Sequence, residues 1–104
     1  GSLRSDLLAW AEEYMEEVNS TPGRQMLIDT LGSASFECRQ RCLQIQQEQL
    51  EVILSRAQAR GETPLPTLDN LMDGIQAPLT YRLCYAPETL STARLEQWIT
   101  VALK

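Results

Sequence analysis

Histidine is absent from this 104-residue sequence, and with it the side chain most often used for proton transfer near neutral pH. A glycine-rich phosphate loop and the Gly-x-Ser-x-Gly turn of serine hydrolases are absent too. Asp69 and Asp73 have the spacing of paired carboxylates, but acidic residues near a helix start are typical of a solvated face that suits the helix dipole. We therefore expect a protein that is not an enzyme and has no cofactor.

Long apolar runs and a signal peptide are missing as well, so the sequence predicts neither a membrane span nor secretion. Positive charge is scarce, because 9 basic residues stand against 14 acidic ones and the net charge is −5. An acidic chain is a poor match for nucleic acid or anionic membranes, since phosphate contacts need a cationic surface. We expect no membrane partner and no direct contact of these residues with DNA.

Cysteine is sparse, and its 3 copies lack the even number and spacing of a disulfide framework. This usage is typical of reduced thiols in the cytoplasm, which is the localisation we expect. Cys38 and Cys42 stand four residues apart on a predicted helix and provide at most half of a metal site, with Cys84 as the remaining thiol. We interpret them as small apolar helix residues and expect no bound metal.

The longest helical stretch runs from Phe36 to Arg60 without proline or glycine, and Gly61 ends it. One face of this helix is apolar and is predicted to enter the core: Phe36, Cys42, Leu43, Leu50, Ile53, Leu54 and Ala57. Arg39 and Gln46 lie near the middle of that face, seven residues apart, so they stack on one side. We expect this helix to be the centre of the fold, because every other segment is shorter.

Shorter helices are predicted around it, over residues 3–18, 22–31, 68–85 and 91–103. Thr21, Thr67 and Ser91 are placed to cap three of them. In the second helix, three side chains are predicted to point inward: Met26, Leu27 and Leu31. Pro78 should disturb the fourth helix, since its ring clashes with the carbonyl of Gly74. Because strand-like alternation is absent, we predict an all-α domain of five helices.

Polar residues on an apolar helix face indicate either a ligand pocket or a buried hydrogen bond. Arg39 and Gln46 can orient a ligand in an apolar cavity between the first four helices. Alternatively, Gln46 is a satisfied core amide and the Arg39 side chain extends to solvent. The candidate ligand-binding residues are Trp10, Tyr14, Met26, Arg39, Cys42, Gln46 and Met72.

Two motifs in the second half of the chain have the spacing of a known family. Residues 53–62, ILSRAQARGE, contain the pattern Leu-x-Arg-Ala-x-x-Arg-Gly-Glu, and residues 73–84, DGIQAPLTYRLC, combine a glycine, a proline and a Tyr-Arg pair. In this order they resemble the end of the long helix and the following helix of TetR-type (tetracycline-repressor-like) regulators. The resemblance covers residues 36–103, while Thr80 and Cys84 depart from the aromatic and aliphatic residues usual in that family.

The resemblance implies the C-terminal domain of a transcription regulator, which binds a small-molecule effector and forms a homodimer. It also implies that operator DNA is bound by an N-terminal helix-turn-helix domain absent from this chain. The first two residues, Gly1-Ser2, are typical of a cleaved expression tag, which agrees with this expectation and leaves residues 3–104 as the domain.

The last two helices carry apolar arcs wider than one core needs, which predicts a four-helix bundle across a two-fold axis. The predicted dimer-interface residues are Leu79, Arg82, Tyr85, Leu95 and Trp98. The alternative function is a free-standing helical interaction module without a small-molecule pocket. A basic helix-turn-helix segment upstream in the full protein would separate the two.

Overall fold

The computed structural model describes residues 1–32 and 35–104, and these residues form an all-α domain, which confirms the predicted fold class. The helices, named α1 to α6 in chain order, are Leu3–Asn19, Thr21–Gly32, Phe36–Ala59, Leu68–Leu71, Ala77–Tyr85 and Thr92–Ala102. A π-helical turn, Met72–Gln76, joins α4 to α5 without a break, so these three segments together are the fourth of the five predicted helices. A 3₁₀ turn, Pro87–Thr89, precedes α6. No helix in the described ranges has the length and hydropathy needed to cross a membrane.

Side-chain hydroxyls cap the N-termini of several helices at or next to the positions that the sequence predicts. Thr67 and Ser91 cap α4 and α6, each accepting a hydrogen bond from the backbone N–H three residues later. The prediction for α2 was wrong by one residue. Thr21 is already helical, and Ser20 Oγ accepts from the Gly23 N–H at 3.2 Å instead.

Gly61 ends the long helix through a Schellman motif. Its φ is 80°, a left-handed conformation that glycine adopts without steric cost. The Gly61 N–H donates to Gln58 O at 3.0 Å, and the Glu62 N–H donates to Ala57 O at 3.1 Å. The predicted end of the long helix is therefore confirmed.

The core lies where α1 meets the second half of α3, the π-helical turn, α5 and α6. Its fully buried large side chains are Leu7, Leu50, Leu71, Ile75, Leu79, Leu83, Leu95 and Ile99. The predicted inner faces of α1, the α4–α5 segment and α6 supply most of them. Each such leucine or isoleucine stabilises the fold by about 1.5–3 kcal/mol relative to exposure to water.

The first half of α3 and much of α2 lie outside this core, which corrects two predictions. Phe36 is 65% exposed, Leu43 is 40% exposed and Cys42 is also exposed, although all three belong to the apolar face of α3. Met26 and Leu31 do not point inward, and none of the α2 residues, all of which are described, is buried. Helical periodicity identifies an apolar face, but it does not supply the second element that would cover it.

Pro78 disturbs its helix as predicted, and the disturbance takes the form of the π-helical turn. The Ala77 N–H donates to Met72 O, five residues earlier. This wider turn precedes the proline, whose ring would clash with the Gly74 carbonyl in a regular α-helix. The turn packs on α6, where a Cβ at Gly74 would lie 3.4 Å from the Cβ of Ala102.

Candidate ligand-binding groove

A groove of about 260 Å³ lies between α1, α2 and α3. Its apolar lining comes from Val18, Met26, Leu27, Cys42 and Ile45. Its polar lining comes from Tyr14, Glu17, Thr30, Gln46 and Gln49. A mostly apolar surface with a few polar groups is typical of small-molecule sites, and the volume is just below their usual lower limit of roughly 300 Å³.

A tight corner joins α1 to α2 beside the groove, which Gly23 lines. Ser20 Oγ donates to Glu17 O at 2.6 Å while it accepts from the Gly23 N–H, so one hydroxyl joins the two helices. A Cβ at position 23 would overlap the carbonyl oxygen of Glu17. The absence of that atom allows α2 to approach α1 and to place Met26 and Leu27 opposite α3.

A chain of hydrogen bonds connects two lining residues of the groove, Gln46 and Tyr14, through Gln76 and Thr80. Gln76 Nε2 donates to Gln46 Oε1 at 2.6 Å and to Thr80 Oγ1 at 3.0 Å. Thr80 Oγ1 in turn is hydrogen-bonded to Tyr14 Oη at 3.3 Å. The chain connects α3, the π-helical turn, α5 and α1. Within residues 1–32 and 35–104 the Gln46 side-chain nitrogen has no hydrogen-bond partner, so its N–H groups are available to a ligand acceptor.

A second hydrogen bond holds the aromatic residues of α1 against α3. The Trp10 indole Nε1 donates to Gln49 Oε1 at 2.8 Å. The Trp10 and Tyr14 rings are stacked, with centroids 5.7 Å apart and an angle of 8° between their planes. Trp10 itself lines a neighbouring cleft of about 410 Å³ between α1 and α3, and Tyr14 and Gln49 border both spaces.

Four of the seven candidate ligand-binding residues line the groove: Tyr14, Met26, Cys42 and Gln46. Trp10 lies in the adjacent cleft, and Met72 is buried in the core. Arg39 is exposed, with its guanidinium carbon 6.0 Å from the centroid of the Phe36 ring. The Gln46 carbonyl thus has a hydrogen-bond partner and Arg39 reaches solvent, while the Gln46 side chain also lines the groove.

Sequence reasoning missed seven lining residues: Glu17, Val18, Gly23, Leu27, Thr30, Ile45 and Gln49. Gln49 is three residues after Gln46, so the two share a helix side, and this spacing was the available signal. Ile45 lies outside the predicted apolar face, and its position depends on where α2 crosses α3. No pattern within a single helix reports such a crossing.

The predicted dimer-interface residues divide between the core and the surface. Leu79 and Leu95 are fully buried within one chain. Arg82 is half-buried and donates from Nη1 to Thr89 Oγ1 at 3.0 Å, while Tyr85 is 78% exposed and Trp98 is half-buried. Two more exposed apolar residues stand on these helices, Tyr81 on α5 and Val101 on α6.

A family model described as "Tetracyclin repressor-like, C-terminal domain" matches residues 1–102. This chain belongs to that family. The match confirms the resemblance to TetR-type regulators and extends it over residues 3–34, where only a helical pattern supported it. No curated protein and no solved structure matches the chain.

The TetR-like domain is therefore a domain of a transcription-regulator family, and its groove combines apolar walls with a few polar groups. It offers apolar walls, amide donors at Gln46, the Tyr14 hydroxyl and one carboxylate, Glu17, at the rim. In the described part of the chain no three His, Cys, Asp or Glu side chains come together as a possible metal site. Burial raises the pKa of the Cys84 thiol, which lies outside the groove.

Proposed function

We propose that this TetR-like domain binds a small, largely apolar effector in the groove between α1, α2 and α3, and that it pairs as a homodimer through α5 and α6. In this proposal a helix-turn-helix domain of the full-length regulator binds operator DNA, and the effector controls that binding. The observation that supports effector binding is an apolar groove that converges on an available amide donor at Gln46.

The lining defines the ligand class. A volume of about 260 Å³ suits a compact molecule, and Val18, Met26 and Ile45 favour an apolar body. The N–H groups of Gln46 can donate to an acceptor on the ligand, such as a carbonyl, ether or ring nitrogen. Glu17 at the rim disfavours an anion near the entrance. We therefore expect uncharged or weakly cationic compounds with one acceptor at an apolar end.

Thermal unfolding in the presence of such compounds tests this part of the proposal. A ligand that binds only the folded state stabilises it by about 2.7 kcal/mol at one hundred times its Kd. Met26→Trp should fill the groove, and Gln46→Leu should remove the donor, so both should abolish the shift. Gln44→Leu is the matched control, because Gln44 is an exposed α3 residue outside the groove. An equal shift in all three variants would place the ligand elsewhere.

Accessible surface supports pairing. The chain exposes 6606 Å², whereas a compact monomer of 11.7 kDa exposes about 5,900 Å². Exposed apolar side chains on α5 and α6, Tyr81, Tyr85 and Val101, contribute to that area. Tyr81 and Tyr85 are candidate anchors, since both are exposed, their ring centroids lie 5.4 Å apart, and tyrosine is enriched among the residues that dominate interface energies.

The exposed residues of α5 and α6 replace Leu79 and Leu95 as the proposed contacts. A side chain that is fully buried in its own chain has no surface to offer a partner. The proposed interface consists of Tyr81, Tyr85, Trp98 and Val101. Arg82 lies beside them and is already held by Thr89.

Light scattering tests the pairing. We expect a wild-type mass twice 11.7 kDa at micromolar concentration, and a monomer for Tyr85→Glu, because the interface would bury an unpaired carboxylate. Ile28→Glu is the control, since Ile28 is 60% exposed but lies on α2. A monomeric wild type would reject the dimer, and dissociation by Ile28→Glu alone would move the interface to α2.

One observation favours the second candidate function, a helical interaction module without an effector. Ile28 and Leu31 of α2 are exposed, as is Phe36 at the start of α3, and such apolar surface is typical of protein contacts. The two candidates differ in one measurable respect. An interaction module predicts no groove-dependent thermal shift from any small compound.

A further inference from the structure

Cys38 and Cys42 form a pair of accessible thiols on the first half of α3. They are four residues apart, both are exposed, and neither takes part in a disulfide. Side chains at this spacing lie on the same helix side, one turn apart. Cys42 also borders the groove beside Met26 and Ile45.

The helix sets the distance between the two sulfur atoms. Cβ atoms four residues apart on a helix are about 5–6 Å from each other. A disulfide needs Cβ atoms about 3.5–4.5 Å apart, so the pair does not oxidise to a disulfide while α3 stays helical. One soft atom with bonds of roughly 2.3 Å to each sulfur spans the gap without moving the backbone. The geometry therefore favours a bridged pair of thiolates over an oxidised pair.

The number of ligands narrows the class of bridging atom. Zinc in proteins usually takes four protein ligands, or three and a water. Residues 1–32 and 35–104 hold no cluster of three metal-ligating side chains, so these thiols have no third or fourth partner. The atom that bridges Cys38 and Cys42 must therefore be one that needs only two thiolate ligands from the protein. Arsenic(III) with one organic substituent meets this requirement, since its third bond is already made to carbon.

We propose that Cys38 and Cys42 form a binding site for monosubstituted trivalent arsenicals. With phenylarsine oxide the reaction is an exchange of ligands without redox change. Two arsenic–sulfur bonds form and the arsenic–oxygen bond breaks. Both thiol protons leave with that oxygen as water. The apolar wall at Met26 and Ile45, next to Cys42, gives the aryl substituent a surface to pack on.

Intact-protein mass spectrometry after incubation with phenylarsine oxide tests the site. We expect one phenylarsenic group per chain, with the loss of two thiol hydrogens, and retention of the adduct in excess monothiol. Because the second bond is intramolecular, Cys38→Ser and Cys42→Ser should each weaken binding about a hundredfold or more. Cys84→Ser should have no effect, since Cys84 is remote in sequence and partly buried.

A control variant keeps two thiols on α3 but changes the spacing between them. The double variant Cys42→Ser/Leu43→Cys retains two thiols on the exposed part of α3, but at a spacing of five residues, which turns them to different helix sides. We expect it to release the arsenical in monothiol as the single variants do. Retention in this variant or in either single variant would overturn the proposal, as would loss in Cys84→Ser. Circular dichroism would check that each variant remains helical.

Discussion

Gln76 donates a hydrogen bond of 2.6 Å to Gln46 Oε1 and so joins the π-helical turn to the middle of α3. Both side chains are half-buried, and the same Gln76 nitrogen also reaches Thr80. The π-helical turn lies just before Pro78, so a residue of the proline-associated irregularity is hydrogen-bonded to a lining residue of the groove. In the proposed function, a ligand that binds Gln46 would contact a residue hydrogen-bonded to this turn.

Removal of either glutamine side chain should therefore destabilise the fold. We expect Gln76→Leu and Gln46→Leu each to lower the free energy of unfolding by about 1–3 kcal/mol, because the partner amide is left partly buried with fewer hydrogen bonds. The double variant should cost less than the sum, with a coupling of about 1 kcal/mol. Urea denaturation of the four proteins gives this value. Strict additivity would show that the bond contributes nothing.

Two glycines of α2 should respond in opposite ways to alanine. Gly23→Ala should lower stability by about 1–3 kcal/mol, because the new methyl group overlaps the Glu17 carbonyl and pushes α2 from α1. Gly32→Ala should be neutral or slightly stabilising, since nothing lies within 4 Å of its Cβ and alanine favours helix. Thermal unfolding followed by circular dichroism compares the pair. Equal effects would argue against a tight corner between α1 and α2.

Glu62 should make stability depend on acid pH. The Leu3 N–H donates to Glu62 Oε1 at 3.1 Å, and Arg60 Nη2 lies 2.8 Å from Oε2, so both lower the pKa of this carboxyl. Because the folded-state pKa is below the unfolded value of about 4.5, the stabilisation is full above pH 4.5 and is lost as pH falls through the folded-state pKa.

The Glu62→Gln variant isolates this contribution. It should be less stable than wild type at neutral pH, and the difference should shrink towards zero in acid. Glu51→Gln provides the control, since Glu51 is an exposed residue of α3. Urea denaturation at several pH values measures the difference directly. A difference that stays constant with pH would mean that the Glu62 charge is not the cause.

A pair of Leu→Ala substitutions tests which leucines form the core. Leu79 was predicted at the dimer interface but is fully buried in one chain, and Leu43 was predicted in the core but is 40% exposed. Leu79→Ala should cost about 2–5 kcal/mol through lost burial and a cavity, whereas Leu43→Ala should cost well under half of that. Denaturant unfolding at one protein concentration suffices. A larger cost at Leu43 would contradict the described packing.

Local signals in the sequence determined where the helices begin and end. Hydroxyls at Thr67 and Ser91 cap helices, and Gly61 ends one in a left-handed conformation, because each acts on backbone groups within three or four residues. The same locality explains why Pro78 predicts an irregular turn. Motifs at fixed offsets along these helices also indicated the family, and the family model confirms that assignment.

Tertiary structure alone decided which apolar faces are covered. The apolar positions of α3 form one continuous face in the sequence, yet Leu50 and Ile53 are buried while Phe36 and Leu43 are exposed. Periodicity is a property of one helix, whereas burial requires a second element at contact distance. The same reason applies to the groove, where Ile45 became a lining residue only because α2 crosses α3 beside it.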